Sequence, residues 1–469
     1  LAAGTTYSYA VSALDMATPP NESAQSGGVS GTTFSGGGGG GGGGSGGWAW
    51  MGGPQKGGTW AFNGQYGFKG VASSSNYPGS RFQNMGWKDG SGNLWMFAGY
   101  GVDGGGNFGR MDDVWKFDVN SNQWTWVSGQ NFAQVNPSFG SQGVTSGSNT
   151  PGGRSASAVW SNGSDAYIFG GIWVNGFYQL MNDLWKYDMN SGQWTWLKGS
   201  STNDVGGTCG SYGQANANYT PGSRKGAATW NDGAGNLWLF GGIGNDCGGA
   251  QNVLNDLWKY NIAGNMWTLV NGSTNGTPSG NYGSLGVAGG TPGGRQEPQF
   301  WRDNSGNLWV FGGLNAAGNQ LNDLWKYNIG SNQWTWMGGS TNVNATGSYG
   351  SFGVASGGTP GARRGGAGSF DGTYAWVFGG FGWDAFGNKE NLNDLWRYDP
   401  SNGQWTWMAG SNAVGSLGNY GSLGQSSTAN SPPARNDFAF WTDNNGRFWV
   451  GQGEGQLSST NHLADLFRY

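Results

Sequence analysis

The chain has 469 residues, a net charge of −4 and only 10% charged residues, against about 25% in typical soluble domains. No lysine and arginine cluster gives the electrostatic footprint of a nucleic-acid-binding protein, and no apolar run approaches the ~18 residues of a membrane-spanning helix. The 98 glycines would suggest low complexity, but 29 tryptophans and a regular periodicity argue against a disordered chain.

The first segment, residues 1–35, contains Gly4–Leu14 and Val29–Thr33, which resemble the last two strands of a fibronectin type III domain. A β-sandwich of that kind needs about 100 residues, and a lone hairpin is marginal in water. Either upstream sequence is missing or the hairpin docks on another surface. Residues 36–47 follow as a glycine-rich linker, in which Gly36–Gly44 is an unbroken run that predicts a flexible tether.

From Trp48 to Tyr469 a unit of about seventy residues recurs, which indicates a repeat architecture. Each unit has four short runs rich in Trp, Tyr, Phe, Val and Leu, bounded by turn residues, as expected for strands. The third run of each unit carries an aromatic residue at one position: Trp115, Trp185, Trp258, Trp325, Trp396 and Phe467. A four-stranded antiparallel sheet repeated around an axis is a propeller blade.

Counting the runs predicts how the ring closes. First, second and third strands number six each, but only five fourth strands follow a third strand, because the chain ends at Tyr469. The missing strand matches Trp48–Gly53, whose pattern is that of Trp334–Gly339. We therefore predict an all-β fold, a six-bladed β-propeller over residues 48–469, whose sixth blade combines residues 435–469 with the N-terminal strand 48–53. Closure removes exposed sheet edges.

The glycine pair, the third-strand Tyr or Phe and the Trp seven residues later (Tyr187 and Trp194, Tyr398 and Trp405) resemble the kelch-repeat family. More narrowly, the Tyr-Gly-x-x-Gly connectors resemble those of uncharacterised bacterial secreted kelch proteins. The family implies a β-propeller, but its members include enzymes, adhesins and protein-interaction modules, so the fold does not assign an activity. Some members resemble galactose oxidase, whose copper site uses two His and two Tyr. The single histidine, His462, cannot supply that set, so no metal or other cofactor is expected.

The two cysteines predict a disulfide. Cys209 lies in the connector entering the third blade and Cys247 in the second-to-third loop of that blade. These two segments emerge on the same face of a blade, although two free thiols remain the alternative. A disulfide implies an extracellular or cell-surface location.

Two charged sets recur once per blade. The aspartates are Asp113, Asp183, Asp256, Asp323, Asp394 and Asp465, and the arginines are Arg81, Arg154, Arg224, Arg295, Arg363 and Arg435. Symmetric repetition favours a structural role, with each Arg pairing with an Asp or a loop carbonyl. The alternative is that the arginines encircle the channel mouth and bind a carboxylate or acidic sugar. In the fifth unit Arg364 competes with Arg363 for this position.

The connectors repeat an aromatic residue between glycines: Tyr66, Phe139, Tyr212, Tyr282, Tyr349 and Tyr420. Each either plugs the gap between blades or is displayed to stack on sugar rings or partner chains. Sequons compatible with glycosylation begin at Asn162, Asn218, Asn271, Asn275 and Asn344.

Catalytic residues are scarce. His462 is expected in a loop before the last strand, with no serine marked as its partner. Glu297, on a first strand lining the channel, and its neighbour Pro298 break the repeat, but a catalytic acid there is the weaker interpretation. We expect no enzymatic activity.

The sequence therefore favours a non-enzymatic extracellular structural or adhesive protein, with the propeller as a rigid interaction scaffold. Strand 48–53 or the hairpin of residues 1–35 could insert into a neighbouring copy and build a head-to-tail filament. The expected partners are copies of the chain itself or other surface proteins. The alternative is a carbohydrate-binding, lectin-like propeller, and a hydrolase or lyase acting on acidic polysaccharide ranks below both.

Overall fold

A computed structural model describes residues 6–9, 29–32, 47–55, 61–173, 179–355, 357–455 and 461–469. The chain forms two compact units, Leu1–Ser45 and Gly46–Tyr469. The first contains an antiparallel pair, Thr6–Tyr9 with Val29–Thr32. Its likeness to a fibronectin type III domain stays a prediction, and residues 36–46 of the predicted linker lie outside the described residues.

The second unit is a six-bladed β-propeller of four-stranded antiparallel blades, as predicted, and its described residues contain no helix. The first strands are Met85–Lys88, Ala158–Asn162, Ala228–Asn231, Gln299–Arg302, Ala367–Phe370 and Ala439–Thr442. The second strands are Leu94–Val102, Asp165–Trp173, Asn236–Asn245, Leu308–Leu314, Ala375–Trp383 and Phe448–Gly451, the last continued by Glu454–Gly455. The third strands are Phe108–Asp118, Gln179–Asp188, Gln251–Asn261, Gln320–Asn328, Lys389–Asp399 and Leu466–Arg468, the last preceded by Asn461–His462. The fourth strands are Gln123–Ser128, Gln193–Lys198, Met266–Asn271, Gln333–Gly338, Gln404–Ala409 and Ala49–Gly52.

The core is divided among six hydrophobic clusters, one between each pair of neighbouring blades. The third-strand aromatic residues, Trp115 to Phe467, are fully buried in these clusters. Alternation along each strand sends successive side chains to opposite faces, so every blade feeds the cluster on either side. This packing accounts for the many tryptophans without a ligand.

The sixth blade is closed by the N-terminal strand, which confirms the prediction. Ala49–Gly52 runs antiparallel to Leu466–Arg468. On its other edge, the Gly424 N–H donates to the Trp50 carbonyl at 2.7 Å and Asn430 Nδ2 donates to the Trp48 carbonyl at 3.0 Å. Trp48 is 1% exposed. The strand is thus held on both edges by residues more than 370 positions away in the chain.

Two sets of short strands complete the blades. An arginine strand precedes the first strand in five blades: Arg81–Phe82, Arg154–Ser155, Arg224–Lys225, Arg363–Arg364 and Arg435–Asn436. A rim strand in the incoming connector pairs with the fourth strand in the first four blades: Ala72–Ser73, Thr145–Ser146, Ala215–Asn216 and Ala288–Gly290. Each connector therefore covers the outer edge of the blade that it enters, which protects that edge from pairing with another chain.

The glycine pair near the end of the second strand marks a β-bulge. In the third blade the register shifts between Phe240 and Gly242, and Gly241 and Gly242 adopt φ values of 66° and 93°. A Cβ on Gly242 would lie 2.6 Å from the Lys225 carbonyl oxygen. The bulge brings the second strand against the arginine strand at a distance that only glycine allows.

Candidate functional site

The repeated arginines and aspartates form six buried ion pairs, one in each blade. In every pair Nη1 donates to one carboxylate oxygen and Nη2 to the other, as in the pair of Arg363 and Asp394 at 2.7 and 2.8 Å. The other pairs are Arg81–Asp113, Arg154–Asp183, Arg224–Asp256, Arg295–Asp323 and Arg435–Asp465. The structural interpretation of both sets therefore holds, and Arg363 rather than Arg364 occupies the fifth position.

The alternative, that the arginines bind a ligand at the channel mouth, is wrong. All six arginines are at most 1% exposed, and each guanidinium group also donates to backbone carbonyls, as Arg363 does to Gly361 and Gly379. In five of the blades the Trp two residues after the Asp donates its Nε1 to the same carboxylate, at 2.7 Å from Trp396 to Asp394. The N–H donors of each guanidinium group are therefore engaged inside its own blade, as expected because a buried charge must be paired and hydrogen-bonded.

The protonation of one pair illustrates the balance of forces. Burial would raise the pKa of Asp323, but the charge and hydrogen bonds of Arg295 outweigh it and lower the pKa below its ordinary value. The Asp323 carboxylate stays ionised in the dry interior because the adjacent guanidinium of Arg295 neutralises its charge.

The connector aromatics divide into three groups. Tyr66 and Tyr349 are buried, and Phe139, Tyr282 and Tyr420 are half-buried. The hydroxyls of the tyrosines among these five donate to the aspartates, as Tyr349 does to Asp394 at 2.7 Å. Display to a partner is therefore the wrong interpretation for these five, because they pack inside their own blades. Tyr212 differs: it is 52% exposed and donates to the Gly272 carbonyl.

The connectors expose apolar side chains at a position that the sequence interpretation passed over. Two or three residues after the connector tyrosine lie Phe68, Leu285, Phe352 and Leu423, which are 58–82% exposed. We call these four the rim residues. They flank glycines whose N–H groups donate to the fourth strand, as Gly353 does to the Trp407 carbonyl. They therefore project from a well-ordered edge.

Cys209 and Cys247, the pair expected from the sequence, are bonded to each other, with their Cα atoms 5.8 Å apart. Both are half-buried against the cluster between the second and third blades. The bond fastens the incoming connector to the second-to-third loop of the same blade.

The sequons lie at the surface or at strand ends. Asn218 and Asn275 are exposed, whereas Asn162, Asn271 and Asn344 are partly buried. Asn344 is engaged structurally, because its Oδ1 accepts from the Gln320 N–H and its Nδ2 donates to Asn319. Glycosylation at these positions stays a prediction.

His462 lies in the short strand Asn461–His462, not in a loop as expected, and its ring stacks on Phe82 at 4.8 Å. Burial lowers the pKa of His462 to about 4, so the imidazole is neutral at physiological pH. Among the described residues no group of three or more His, Cys, Asp or Glu could hold a metal ion.

The central channel holds a cavity of about 430 Å³, lined by the first strands of all six blades. At one end of the cavity six backbone groups form a closed ring. The residue two positions after each repeated arginine donates its N–H to the carbonyl of its counterpart in the preceding blade. The bonds run from Gln83 to Asp437, Ala156 to Gln83, Gly226 to Ala156, Glu297 to Gly226, Gly365 to Glu297 and Asp437 to Gly365, at 2.7–3.1 Å.

All six residues of this channel ring have left-handed backbones, with φ between 52° and 64°. That conformation costs a non-glycine residue ~1–2 kcal/mol. Four of the six are not glycine, so the ring holds this conformation through the geometry of the assembled blades. Strain of this kind clusters at functional positions.

The channel ring carries an asymmetric charged cluster. Glu297 contacts Arg364 through a hydrogen-bonded ion pair and Lys225 at 3.6 Å. Asp437 lies 3.8 Å from the same Arg364 nitrogen and accepts a hydrogen bond from Gln83 Nε2 at 3.3 Å. The two carboxylates are 9% and 8% exposed. We call Lys225, Glu297, Arg364 and Asp437 the channel cluster.

The environments of Asp437 and Glu297 shift the pKa values of their carboxyl groups in opposite directions. Burial raises the pKa of Asp437 to about 7, and the charge of Glu297 adds to the rise against the opposing effect of Arg364. Burial also opposes ionisation of Glu297, but Arg364 and Lys225 outweigh it and lower the pKa of Glu297. Glu297 is therefore ionised, whereas Asp437 titrates near neutral pH.

The sequence interpretation identified Glu297 as a departure from the repeat and Arg364 as a rival of Arg363, but it passed over the two carboxylates that Glu297 and Asp437 bring to the channel ring. One observation could have found them. Aligning the six residues two positions after each repeated arginine gives Gln, Ala, Gly, Glu, Gly and Asp, and carboxylates stand in two blades only.

The Kelch motif family matches the chain at residues 305–335 and 362–408, which lie in the fourth and fifth blades. No curated protein matches the chain. Propellers with this motif are usually non-catalytic interaction scaffolds. Among the described residues no helix is long and apolar enough to cross a membrane.

Proposed function

We propose that the protein is a non-enzymatic, extracellular structural or adhesive scaffold that assembles into filaments by exchange of the strand Ala49–Gly52. The coarser role, a scaffold for protein interaction, is what its kelch motif suggests. The expected partners are copies of this chain or other surface proteins.

The extracellular assignment is supported by the bond between Cys209 and Cys247. Structural disulfides persist in oxidising compartments and are rare in the cytosol. The rim residues support an adhesive role, because exposed apolar side chains on an ordered edge suit contact with another protein.

The filament proposal rests on one observation, which is how the sixth blade is completed. Ala49–Gly52 supplies its fourth strand, although more than 400 residues separate it from its partner Leu466–Arg468 in the chain. The glycine run Gly36–Gly44 precedes this strand. If the strand of one copy pairs with Leu466–Arg468 of the next, the same contacts form between molecules at little energetic cost, and the assembly does not close on itself.

Paired cysteine substitutions test this exchange. Ala49 and Arg468 lie opposite each other across the two strands, and Thr406 and Arg397 occupy the equivalent positions of the fifth blade. We expect Ala49→Cys with Arg468→Cys to give disulfide-linked multimers on a non-reducing gel, increasing with protein concentration. The control, Arg397→Cys with Thr406→Cys, links strands that are adjacent in the chain and should give monomers only. Monomers alone from both variants at every concentration would contradict filament assembly.

A further inference from the structure

The channel cluster breaks the symmetry of the propeller, whereas the other buried acids repeat with the blades. The Asp113 set recurs six times with the same arginine partner, so its geometry belongs to the fold. At the channel ring only the fourth and sixth blades carry an acid, Glu297 and Asp437. The arginine strands of the third and fifth blades supply Lys225 and Arg364. Nothing in forming a propeller requires these four residues.

The space for the two carboxylates is made by glycines in the neighbouring blades. A Cβ on Gly226 would lie 3.1 Å from Glu297 Cγ, and a Cβ on Gly365 would lie 2.6 Å from Asp437 Oδ1. The ring therefore combines two acids with two glycines beside them, while Gln83 and Ala156 occupy the remaining positions. This arrangement directs the acids along the inside of the ring, where they line the cavity.

The hydrogen-bonding capacity of this wall is not used up. The Asp437 carboxylate accepts one hydrogen bond from the described residues, from Gln83 Nε2, and has a more distant ionic contact with Arg364. Buried polar atoms are nearly always satisfied, so unused acceptors that face a cavity indicate a ligand with donors.

Lys225 and Arg364 lie against Glu297 and Asp437 and offset the negative charge of the two acids. The cavity wall therefore offers carboxylate acceptors whose charge is offset by neighbouring cations outside the lining, so it does not favour a cation or an anion over a neutral ligand. The rest of the wall combines hydroxyl and amide side chains, such as Ser157 and Asn231, with the half-buried rings of Phe300, Phe438 and Phe440. A wall that combines polar groups with aromatic rings suits a molecule that carries both hydroxyls and C–H groups.

We propose that the channel cavity binds a small neutral polyhydroxylated ligand, a single sugar or the end of a glycan chain. Its hydroxyls would bond to Asp437 and Glu297. A volume of about 430 Å³ falls within the range of small-molecule sites, roughly 300–1,000 Å³. This places carbohydrate recognition in the channel and not at the repeated arginines or the connector tyrosines. The proposal stands apart from filament assembly, since strand exchange leaves the channel unchanged.

Titration of the full chain with D-glucose, D-galactose and D-mannose tests the proposal, followed by calorimetry or saturation-transfer NMR. D-glucuronate and butylammonium serve as anionic and cationic probes. We expect at least one neutral sugar to saturate the protein and to bind more tightly than either ion. Asp437→Gly preserves the left-handed backbone and its ring hydrogen bond but removes the carboxylate. It should weaken binding by about tenfold or more, as expected for loss of a charged hydrogen bond.

Ala156→Gly is the matched control, because it also introduces glycine at a left-handed position of the channel ring, in a blade that has no acid there. It should change the dissociation constant by less than about twofold, since no polar contact is lost. Thermal melting of both variants reports whether the fold is retained. Three outcomes would overturn the proposal: no saturable binding by any of the three sugars, tighter binding of an ionic probe, or equal affinity in the two variants. Separate titrations with the free monosaccharide and with its oligosaccharide show whether the cavity binds a single sugar or the end of a glycan chain.

Discussion

The fifth and sixth blades have the same internal geometry but are assembled from the chain in different ways. The fifth blade is continuous from Arg363 to Ala409, whereas the sixth joins Arg435–Tyr469 to the distant strand Ala49–Gly52. Both contain a buried Arg–Asp pair with Nη1 and Oδ1 at 2.7 Å. At the channel ring, however, the fifth blade has Gly365 and the sixth has Asp437. Side chains that repeat are thus set by the blade geometry, whatever the route of the chain, and those that differ mark what is particular to this protein.

The largest expected effects come from breaking the shared ion pair in each blade. Asp394→Ala and Asp465→Ala each leave a buried arginine without its counter-ion, so each should lower the free energy of unfolding by about 3–5 kcal/mol. Denaturant unfolding measures both values. The control Asp399→Asn, at the half-buried last residue of the fifth blade's third strand, keeps an acceptor for the turn that follows and should cost less than ~1 kcal/mol. A full effect in the fifth blade together with a negligible one in the sixth would show that the sixth blade is not closed as described.

A change of pH should affect the channel ring through the sixth blade and not the fifth, because, of these two blades, only the sixth has an acid there. The pKa of Asp437 is raised to about 7 in the folded protein, so between pH ~4 and 7 the folded state binds more protons than the unfolded state. The free energy of unfolding contributed by this group is therefore greatest below pH ~4 and is lost as the pH rises through 7.

Asp437→Asn removes this titration and tolerates the left-handed backbone. Relative to the unsubstituted protein, the variant should gain stability from pH 4 to pH 8, by up to ~4 kcal/mol. Unfolding curves at several pH values measure the difference. A difference that is constant with pH, or that changes in the opposite direction, would contradict the raised pKa.

Smaller effects are expected from the tyrosine hydroxyls that reach the ion pairs. Tyr349→Phe in the fifth blade and Tyr420→Phe in the sixth remove one hydrogen bond to Asp394 and Asp465, and each should cost about 1 kcal/mol. Tyr212→Phe should cost less than ~0.5 kcal/mol, because that side chain is exposed and bonds to a surface carbonyl. Equal costs at all three positions would remove the distinction between packed and displayed connector aromatics.

The sequence was sufficient for the features that repeat. Six copies of one aromatic pattern predicted the blades, and the mismatch between five and six fourth strands predicted the role of Ala49–Gly52. The recurrence of Arg and Asp also favoured their pairing over ligand binding, because six equal positions in six equal blades share one environment. The pair Cys209 and Cys247 followed from the loops that share a face of one blade.

Other features were beyond the sequence for physical reasons. The channel ring joins residues about seventy positions apart whose side chains share no chemistry, so neither periodicity nor composition reveals it. The rim strands are two or three residues long and lie in stretches of Gly, Ser, Ala and Asn, where no alternation marks a strand. Glu297 and Asp437 belong to the two blades that flank the fifth, and they meet because both reach Arg364 of that blade, which depends on side-chain geometry that the sequence does not show.

Hydrogen exchange at Ala49–Gly52 tests the closure of the sixth blade most directly, with Gln404–Ala409 as the internal reference. If the N-terminal strand completes the blade, its hydrogen-bonded amides should be protected to the same degree as those of the fifth blade's fourth strand. Exchange of Ala49–Gly52 at the rate of an unstructured peptide, while Gln404–Ala409 stays protected, would contradict the architecture.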